Sequence, residues 1–365
     1  MRKARNSIAA CVGEAMKKWV SWMLVICLLC GMAFAEADDA AARDARHAFI
    51  EGMFRAAAGT DYAAEQALRR DMNDAEIAAR DAAQAEYRAD TAIWLMAAFD
   101  VPDAQAEAPE ATAAPDADAQ AFADALEIAW ARFQENAYAR EWLAMLGADT
   151  AEAAMLSCRE ICAEWLAEID AQRMIEINAD YVCWIYAPDS PIDYPIVQAE
   201  DNDAYLHRMF DGARNAAGTL FIDYRNLPDF QDPNTLIYGH HMRNDSMFGT
   251  LDHYAQPGYF AAHPWMLIIA PDQVLLLEIF AGYTTSKHDH CYDIAISDAA
   301  DKRAFIDEAT QKSDFNANLP VQDEDTLITL STCAYAFENA RYIIITRAVP
   351  ASSSCRTEND ESMSP

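Results

Sequence analysis

The stretch TLITLSTCAYAFENARYIIITR, residues 326–347, holds two β-branched runs separated by a short polar segment. Cys333 ends the first run and Arg341 opens the second. Two such runs with a short connection predict an antiparallel pair of strands. We therefore expect the chain to return Arg341 beside Cys333. Cys333 is then either a buried core residue or a nucleophile with a permanent cation next to it.

The same pattern extends upstream to about residue 176. Eight runs rich in β-branched and aromatic residues alternate there with turn residues: YVCWIYA, IDYPIVQ, GTLFIDY, NTLIYG, WMLIIAP, VLLLEIFAGYTT, TLITLST and RYIIITRAV. Short strands with short connections predict a closed or nearly closed β-barrel. The one long connection, residues 286–325, contains a helical pattern for which Ser297 is the expected N-cap.

The preceding half is rich in Ala, Glu, Asp and Arg, and its apolar residues recur at three- and four-residue steps, which predicts helices. The fold class is therefore mostly β: a closed eight-stranded barrel with flanking helices, preceded by an Ala-rich acidic helical region. The predicted boundaries are a helical region at 36–107, a Pro/Ala linker at 108–120, a helical segment at 121–174, the barrel domain at 175–349 and a disordered tail at 350–365.

The N-terminus has the composition of an export signal. A basic flank precedes the apolar run from Trp19 to Ala35, which ends in Ala33-Phe34-Ala35, a small-residue pattern typical of cleavage sites. Positive charge on the N-side predicts that the rest of the chain is exported. Residues 1–35 are thus either a cleaved signal peptide or a retained membrane anchor. The predicted location is the extracellular face of the cell membrane, or outside the cell if cleavage occurs.

Charge excludes one class of partner. The net charge is −32 at pH 7 and the pI is about 4.4, so no nucleic-acid partner is expected.

Cys158 and Cys162 lie one helical turn apart, and two buried apolar side chains are favoured there over a metal pair or a disulfide. The segment KHDHCYD, residues 287–293, offers His288, His290 and Cys291 as zinc-type ligands. No partner motif accompanies them, so packing beside a substrate is favoured, and neither metal nor cofactor is expected.

Catalysis by Cys333 would require a base or a positive environment, because the thiolate is the attacking species. His240 follows Tyr-Gly at the predicted end of a strand in NTLIYGHHM, where its side chain can reach the mouth of a barrel. Arg341 carries a permanent charge that can hold a developing oxyanion. Spacing alone leaves this a weak case for an active site.

The sequence around these residues resembles that of a known family. TLSTC with an arginine eight residues later, preceded far upstream by NTLIYGHHM, resembles the sortases, which are cysteine transpeptidases. Three further segments are similar to class B sortases: DYVCWIYAPDSPIDYPIVQAEDNDAYLHRMF, AGTLFIDYRN and NTLIYGHHMRNDSMFGTLDHY. The helix before the cysteine strand is also a class B feature. The resemblance covers about residues 175–349. The Ala-rich half lies outside it, and only its last helix is expected to pack against the barrel.

The resemblance implies roles for individual residues. Cys333 would be the nucleophile that forms a thioacyl enzyme, and His240 would protonate the leaving amine and then deprotonate the incoming one. Arg341 would hold the substrate carbonyl and the oxyanion, with the backbone N–H of Ala334 as a second donor. The substrate groove would be lined by Asn202, Leu206, Tyr238, Ser331 and Tyr292. Some class B members carry an acidic residue just after the cysteine, whereas Ala334 and Tyr335 follow Cys333.

The implied function is an exported transpeptidase of a Gram-positive-type cell envelope. Its partners would be surface proteins with a C-terminal sorting motif of the Asn-Pro-x-Thr type, a cell-wall precursor amine as acceptor, and the membrane through the N-terminal segment. Two alternatives are a pilin-polymerising sortase that uses a lysine amine and a non-catalytic surface scaffold. If the chain is an enzyme, it is expected to keep turnover when residues 36–120 are removed.

Overall fold

The structure is a computed structural model that describes residues 33–100, 117–333 and 339–351, with side chains for 40–100, 120–332 and 339–351. Most of the predicted leader, most of the predicted linker, Ala334 and nearly all of the predicted tail lie outside the described residues. The chain divides into two compact units, residues 1–48 and 49–365, and the second contains the whole barrel.

The Ala-rich half is helical, as the composition predicts. Its helices are α1 (Ala33–Ala58), α2 (Tyr62–Arg69), α3 (Asp74–Phe99), α4 (Ala117–Glu135), α5 (Ala137–Leu146), α6 (Ala151–Glu168) and α7 (Ala171–Ile177). Polar side chains satisfy the first N–H groups of several of them. Asn73 forms a capping box with Glu76 at the start of α3, and Thr150 caps α6. Within the described residues, no helix is both long and apolar enough to span a bilayer.

All eight β-branched runs form strands of one closed barrel, which confirms the predicted fold class. The strands are β1 (Tyr181–Tyr186), β2 (Asp193–Val197), β3 (Leu220–Ile222), β4 (Asn234–Tyr238), β5 (Trp265–Ile269), β6 (Val274–Ser286), β7 (Thr326–Cys333) and β8 (Ala340–Pro350). Their order around the barrel is β1-β2-β3-β4-β7-β8-β6-β5. The β2/β3 and β4/β7 pairs are parallel, and the others are antiparallel.

Two helices flank the strands. Helix α8 (Tyr259–Ala262) precedes β5, and α9 (Ala299–Lys312) lies in the long connection before β7, where a helix is predicted. The expected N-cap of α9 is wrong by one residue. Asp298 accepts the backbone N–H of Asp301, whereas the Ser297 hydroxyl donates to the Asp301 carboxylate at 2.7 Å.

A second apolar core lies between the N-terminal helices and the outside of the barrel. It joins helix residues such as Trp94 and Trp165 to Trp265 and Leu267 of β5. Tyr186 of β1 makes ring contacts with Trp165 at 5.0 Å and with Phe54 of α1 at 6.4 Å. Helices α1, α3 and α6 therefore contribute to the cover of the barrel, whereas the sequence led us to expect only the last helix there.

Candidate active site

The strand order brings the three predicted catalytic positions to neighbouring strand ends. Strands β4 and β7 are parallel, and Tyr238 pairs with Ser331. His240 follows Tyr238 by two residues, and Cys333, the last residue of β7, follows Ser331 by two. Strand β8 runs antiparallel to β7, and Cys333 pairs with Arg341. Paired residues of antiparallel strands lie about 4.5–5.5 Å apart at Cα, so the chain does return Arg341 beside Cys333.

Backbone contacts fix His240 at this end of the barrel. Gly239 donates its N–H to the Ser331 carbonyl at 3.1 Å, and Phe248 donates to the His240 carbonyl at 3.0 Å. A side chain at Gly239 would meet the Phe248 ring at 2.6 Å, so only glycine fits there. The backbone before the histidine therefore passes close to the side chains of Leu220 and Phe248, and this close approach helps to fix the position of His240.

The imidazole of His240 is held by two neighbours. Its Nε2 lies 2.7 Å from the Leu206 carbonyl oxygen, which can only accept, so Nε2 donates. The ring also stacks on His207, with centroids 5.6 Å apart and planes 9° from parallel. The orientation of the imidazole is thus set by the segment that precedes β3, far upstream in the chain.

A groove of about 560 Å³ lies in front of these strand ends. Its lining includes seven of the predicted site residues: Asn202, Leu206, Tyr238, His240, Tyr292, Ser331 and Arg341. Thr332, the neighbour of Cys333, also lines it. Five segments therefore meet around one concave surface: the segment after β2, β4 with its extension, β7, β8 and the β6–β7 connection.

One wall of the groove is aromatic. The Tyr292 hydroxyl and the Ser331 hydroxyl are 2.8 Å apart, and the Tyr238 and Tyr292 rings stack with centroids at 6.3 Å. Burial raises the pKa of both tyrosines, so their hydroxyls stay protonated at neutral pH. This wall offers flat apolar faces and neutral hydroxyl groups, which suit an extended peptide rather than a highly charged ligand.

The floor of the groove holds a carboxylate that the sequence did not single out. Asp223 is buried and accepts from the side chains of Arg225, Tyr238 and Asn202. Burial acts to raise its pKa, but the bonds from Arg225, Tyr238 and Asn202 outweigh burial and hold the pKa below its usual value. The segment AGTLFIDYRN contained the signal: an acid directly after a short strand, two residues before an arginine.

The KHDHCYD segment does not gather its zinc-type ligands. Cys291 is buried and burial raises the pKa of its thiol, whereas the His290 side chain is 79 % exposed and lies 3.1 Å from Asp293. Across the described ranges, no group of three or more His, Cys, Asp or Glu side chains is arranged to hold a metal. Lys287 and His288 instead line the groove together with Tyr292.

The remaining described cysteines are structural in position. Cys158, Cys162 and Cys183 are buried free thiols. Burial raises the pKa of Cys158 to about 12 and that of the other two as well, so none is a reactive thiolate at neutral pH. The apolar packing favoured for Cys158 and Cys162 agrees with this burial.

Comparisons with known proteins identify the family of the barrel domain. A family model of the sortase domain matches residues 185–350. Sortase B of Listeria monocytogenes is 36 % identical over 171 residues, which span 46 % of this chain and 70 % of that protein. Sortase B of Staphylococcus aureus is 29 % identical over 179 residues, 48 % of this chain and 73 % of that protein. A solved S. aureus sortase B–substrate complex aligns over 50 % of this chain and 85 % of its own, with 28 % identity and a TM-score of 0.48.

The chain belongs to the class B sortases. Sortases are cysteine transpeptidases, so the chain is an enzyme, and the alternative of a non-catalytic surface scaffold falls away. The matched region begins within β1 and ends with β8, so the described helices of the Ala-rich half lie outside it. The expected second oxyanion donor, the backbone N–H of Ala334, lies outside the described residues.

Proposed function

We propose that this sortase cleaves a C-terminal sorting signal of the Asn-Pro-x-Thr type and joins the threonine carbonyl to a cell-wall amine. The observation that carries this proposal is the pairing of Cys333 with Arg341 at the strand end beside His240, at the edge of a groove of about 560 Å³. A cysteine nucleophile, a cation for the oxyanion and an imidazole for proton transfer are the three groups that acyl transfer needs.

In the first half-reaction, the Cys333 thiolate attacks the threonine carbonyl carbon, and Arg341 stabilises the negative charge that develops on oxygen. The peptide C–N bond then breaks as His240 gives its proton to the leaving amine. Because Nε2 of His240 is bound to the Leu206 carbonyl, Nδ1 is the nitrogen that we assign to this transfer. The product is a thioester between the threonine and Cys333.

In the second half-reaction, an acceptor amine attacks the thioester carbonyl and loses a proton to His240. The C–S bond breaks, and Cys333 returns as a thiolate, which restores the starting state. The amine therefore decides the product. A cell-wall precursor gives wall anchoring, whereas a pilin lysine gives a polymer. Export through residues 1–35 would place the enzyme on the outer face of the membrane, where both amines occur.

Peptide turnover tests this proposal. We expect the full chain to cleave a peptide that contains an Asn-Pro-x-Thr motif, and to form a new amide when a cell-wall amine is added. Cys333→Ala should abolish both reactions. Arg341→Lys should lower kcat by about 100-fold, because a point charge replaces the planar guanidinium that holds the oxyanion.

A matched control is Cys291→Ala, which removes a buried thiol beside the groove without touching the proposed machinery. Turnover that survives in Cys333→Ala would contradict the proposed nucleophile. A product that forms only with a lysine side chain and not with a wall amine would support the pilin-polymerising alternative.

A further inference from the structure

Asp223 has no step in the proposed reaction, yet it is the most heavily hydrogen-bonded side chain of the groove. Its Oδ1 accepts from the Arg225 backbone N–H at 3.0 Å and from Arg225 Nε at 2.8 Å. Its Oδ2 accepts from Arg225 Nη2 at 2.9 Å, from the Tyr238 hydroxyl at 2.9 Å and from Asn202 Nδ2 at 3.0 Å. Five bonds occupy both oxygens, so the carboxylate has little capacity left for a substrate.

The partners of Asp223 are the residues that face the groove. Asn202 donates from Nδ2 to Asp223, and its Oδ1 accepts from the backbone N–H of Tyr224 at 3.0 Å. Only one orientation of the amide satisfies both bonds, so Asp223 decides which end of the Asn202 amide turns toward each neighbour. The Tyr238 hydroxyl is fixed in the same way, and its ring stacks on Tyr292.

The backbone of Asp223 lies away from the reacting end of the groove. The Asp223 backbone N–H donates to the carbonyl of Leu236, four residues before His240. In an extended chain that separation corresponds to about 13 Å. Asp223 is thus well placed to act on peptide binding and badly placed to act on the chemistry at Cys333.

We propose that Asp223 is a positioning residue for peptide binding, which orients Asn202 and Tyr238 at the end of the groove remote from Cys333. This inference rests on the proposed function. Arg225 completes the arrangement, because its side chain is 49 % exposed, lines the groove, and is pinned to Asp223 through Nε and Nη2. A peptide would meet the second N–H of Asn202 and the hydroxyl oxygen of Tyr238, both held in one orientation, and the negative charge beneath them would be compensated.

The first test is Asp223→Asn in the full chain, measured by steady-state cleavage of the sorting-motif peptide. The new amide must turn its NH2 group either toward the Arg225 backbone N–H and Nε or toward Asn202, Tyr238 and Arg225 Nη2, all of which are donors. We expect KM to rise about tenfold, because the side chains of Asn202 and Tyr238 lose their fixed orientation. The reacting groups keep theirs, so kcat should stay within about threefold of wild type.

A swap distinguishes positioning from a general loss of stability. In the double variant Asn202→Asp/Asp223→Asn, the amide and the carboxylate exchange places, so the donor and acceptor between them match again. We expect KM to fall below that of Asp223→Asn, while the carboxylate now at residue 202 keeps it above wild type. The matched control is Glu278→Gln, which removes another buried carboxylate from its arginine, Arg347, on the barrel outside the groove. It should lower the unfolding temperature and leave KM unchanged.

An unchanged KM in Asp223→Asn would overturn the inference, and so would a rise that Glu278→Gln reproduces or that the swap does not relieve. Failure of the proposed function looks different, because the wild-type chain itself would then cleave no sorting-motif peptide. In that case, binding of the same peptide to wild type and Asp223→Asn, measured by fluorescence anisotropy, still tests the positioning role. Equal dissociation constants would contradict it.

Discussion

The imidazole of His240 depends on a second histidine for its position. His207 stacks parallel to it, and the Leu206 carbonyl holds its Nε2, so one short segment restrains the ring from two directions. Proton transfer is sensitive to such placement, because the nitrogen must come within hydrogen-bond reach of the leaving amine. His207 is exposed, so its main contribution at this position is the ring that stacks on His240.

Substitution of His207 tests this dependence. We expect His207→Ala to lower kcat about threefold to tenfold with little change in KM, because the ring of His240 loses its stacking partner. His207→Phe keeps a flat ring and should retain kcat within about twofold. Steady-state peptide cleavage measures both variants. If Phe is as damaging as Ala, stacking is not the role of this residue.

At the scale of elements, helices α2 and α3 are joined by a buried ionic cluster. Glu65 of α2 is fully buried and accepts from Arg69, from Arg80 of α3 and from the Thr60 hydroxyl. Burial acts to raise its pKa, but the bonds from Arg80, Arg69 and Thr60 outweigh burial and lower the pKa. A carboxyl group with a lowered pKa stabilises the folded state above its unfolded pKa, and this stability is lost as the pH falls through the folded value.

Glu65→Gln should therefore destabilise the fold by about 1–3 kcal/mol at pH 7, because the partly exposed guanidinium groups of Arg69 and Arg80 lose a charged partner, although Arg69 keeps Asp81. The stability difference between wild type and Glu65→Gln should shrink below about pH 4.3, the unfolded pKa of a glutamate. Chemical denaturation at several pH values measures it. A difference that stays constant from pH 7 to pH 3 would contradict the ionic role.

The sequence was most informative about the secondary-structure elements. All eight strands were predictable, because β-branched runs and turn residues are local signals. The family resemblance placed Asn202 and Tyr238 in one groove, but the place of Asp223 between them was not predicted, because the three residues belong to separate segments that meet through the β2-β3-β4 strand order. The N-cap of α9 was placed one residue early, since Ser297 and Asp298 are both good caps and only the backbone at Asp298 decides between them.

At the scale of the molecule, the helical half and the barrel share a core. The apolar faces of Tyr186, Trp265 and Leu267 lie on the outside of the barrel and are buried there together with residues of α1, α3 and α6. Periodicity predicted the helices but gave no indication of the surface on which they pack. The strand residues that contact these helices look like ordinary barrel residues in the sequence.

This packing reverses the expectation that turnover survives removal of residues 36–120. Deletion would expose several large side chains, each worth about 1.5–3 kcal/mol when buried. We expect the unfolding temperature of the deleted protein to fall by at least about 10 °C and turnover to fall with it. A milder control is Phe54→Ala, which removes one ring contact to Tyr186 and should lower the unfolding temperature by less. A deleted protein as stable and as active as the full chain would contradict the shared core.

Intact mass measurement of the full chain shows whether Cys333 is the nucleophile that accepts the acyl group. The enzyme is incubated with a sorting-motif peptide in the absence of an acceptor amine, quenched in acid and mapped by peptide mass fingerprinting. We expect a thioester adduct on Cys333 that carries the peptide up to its threonine and disappears when an amine is added. An adduct on another residue, or peptide cleavage by Cys333→Ala, would contradict it.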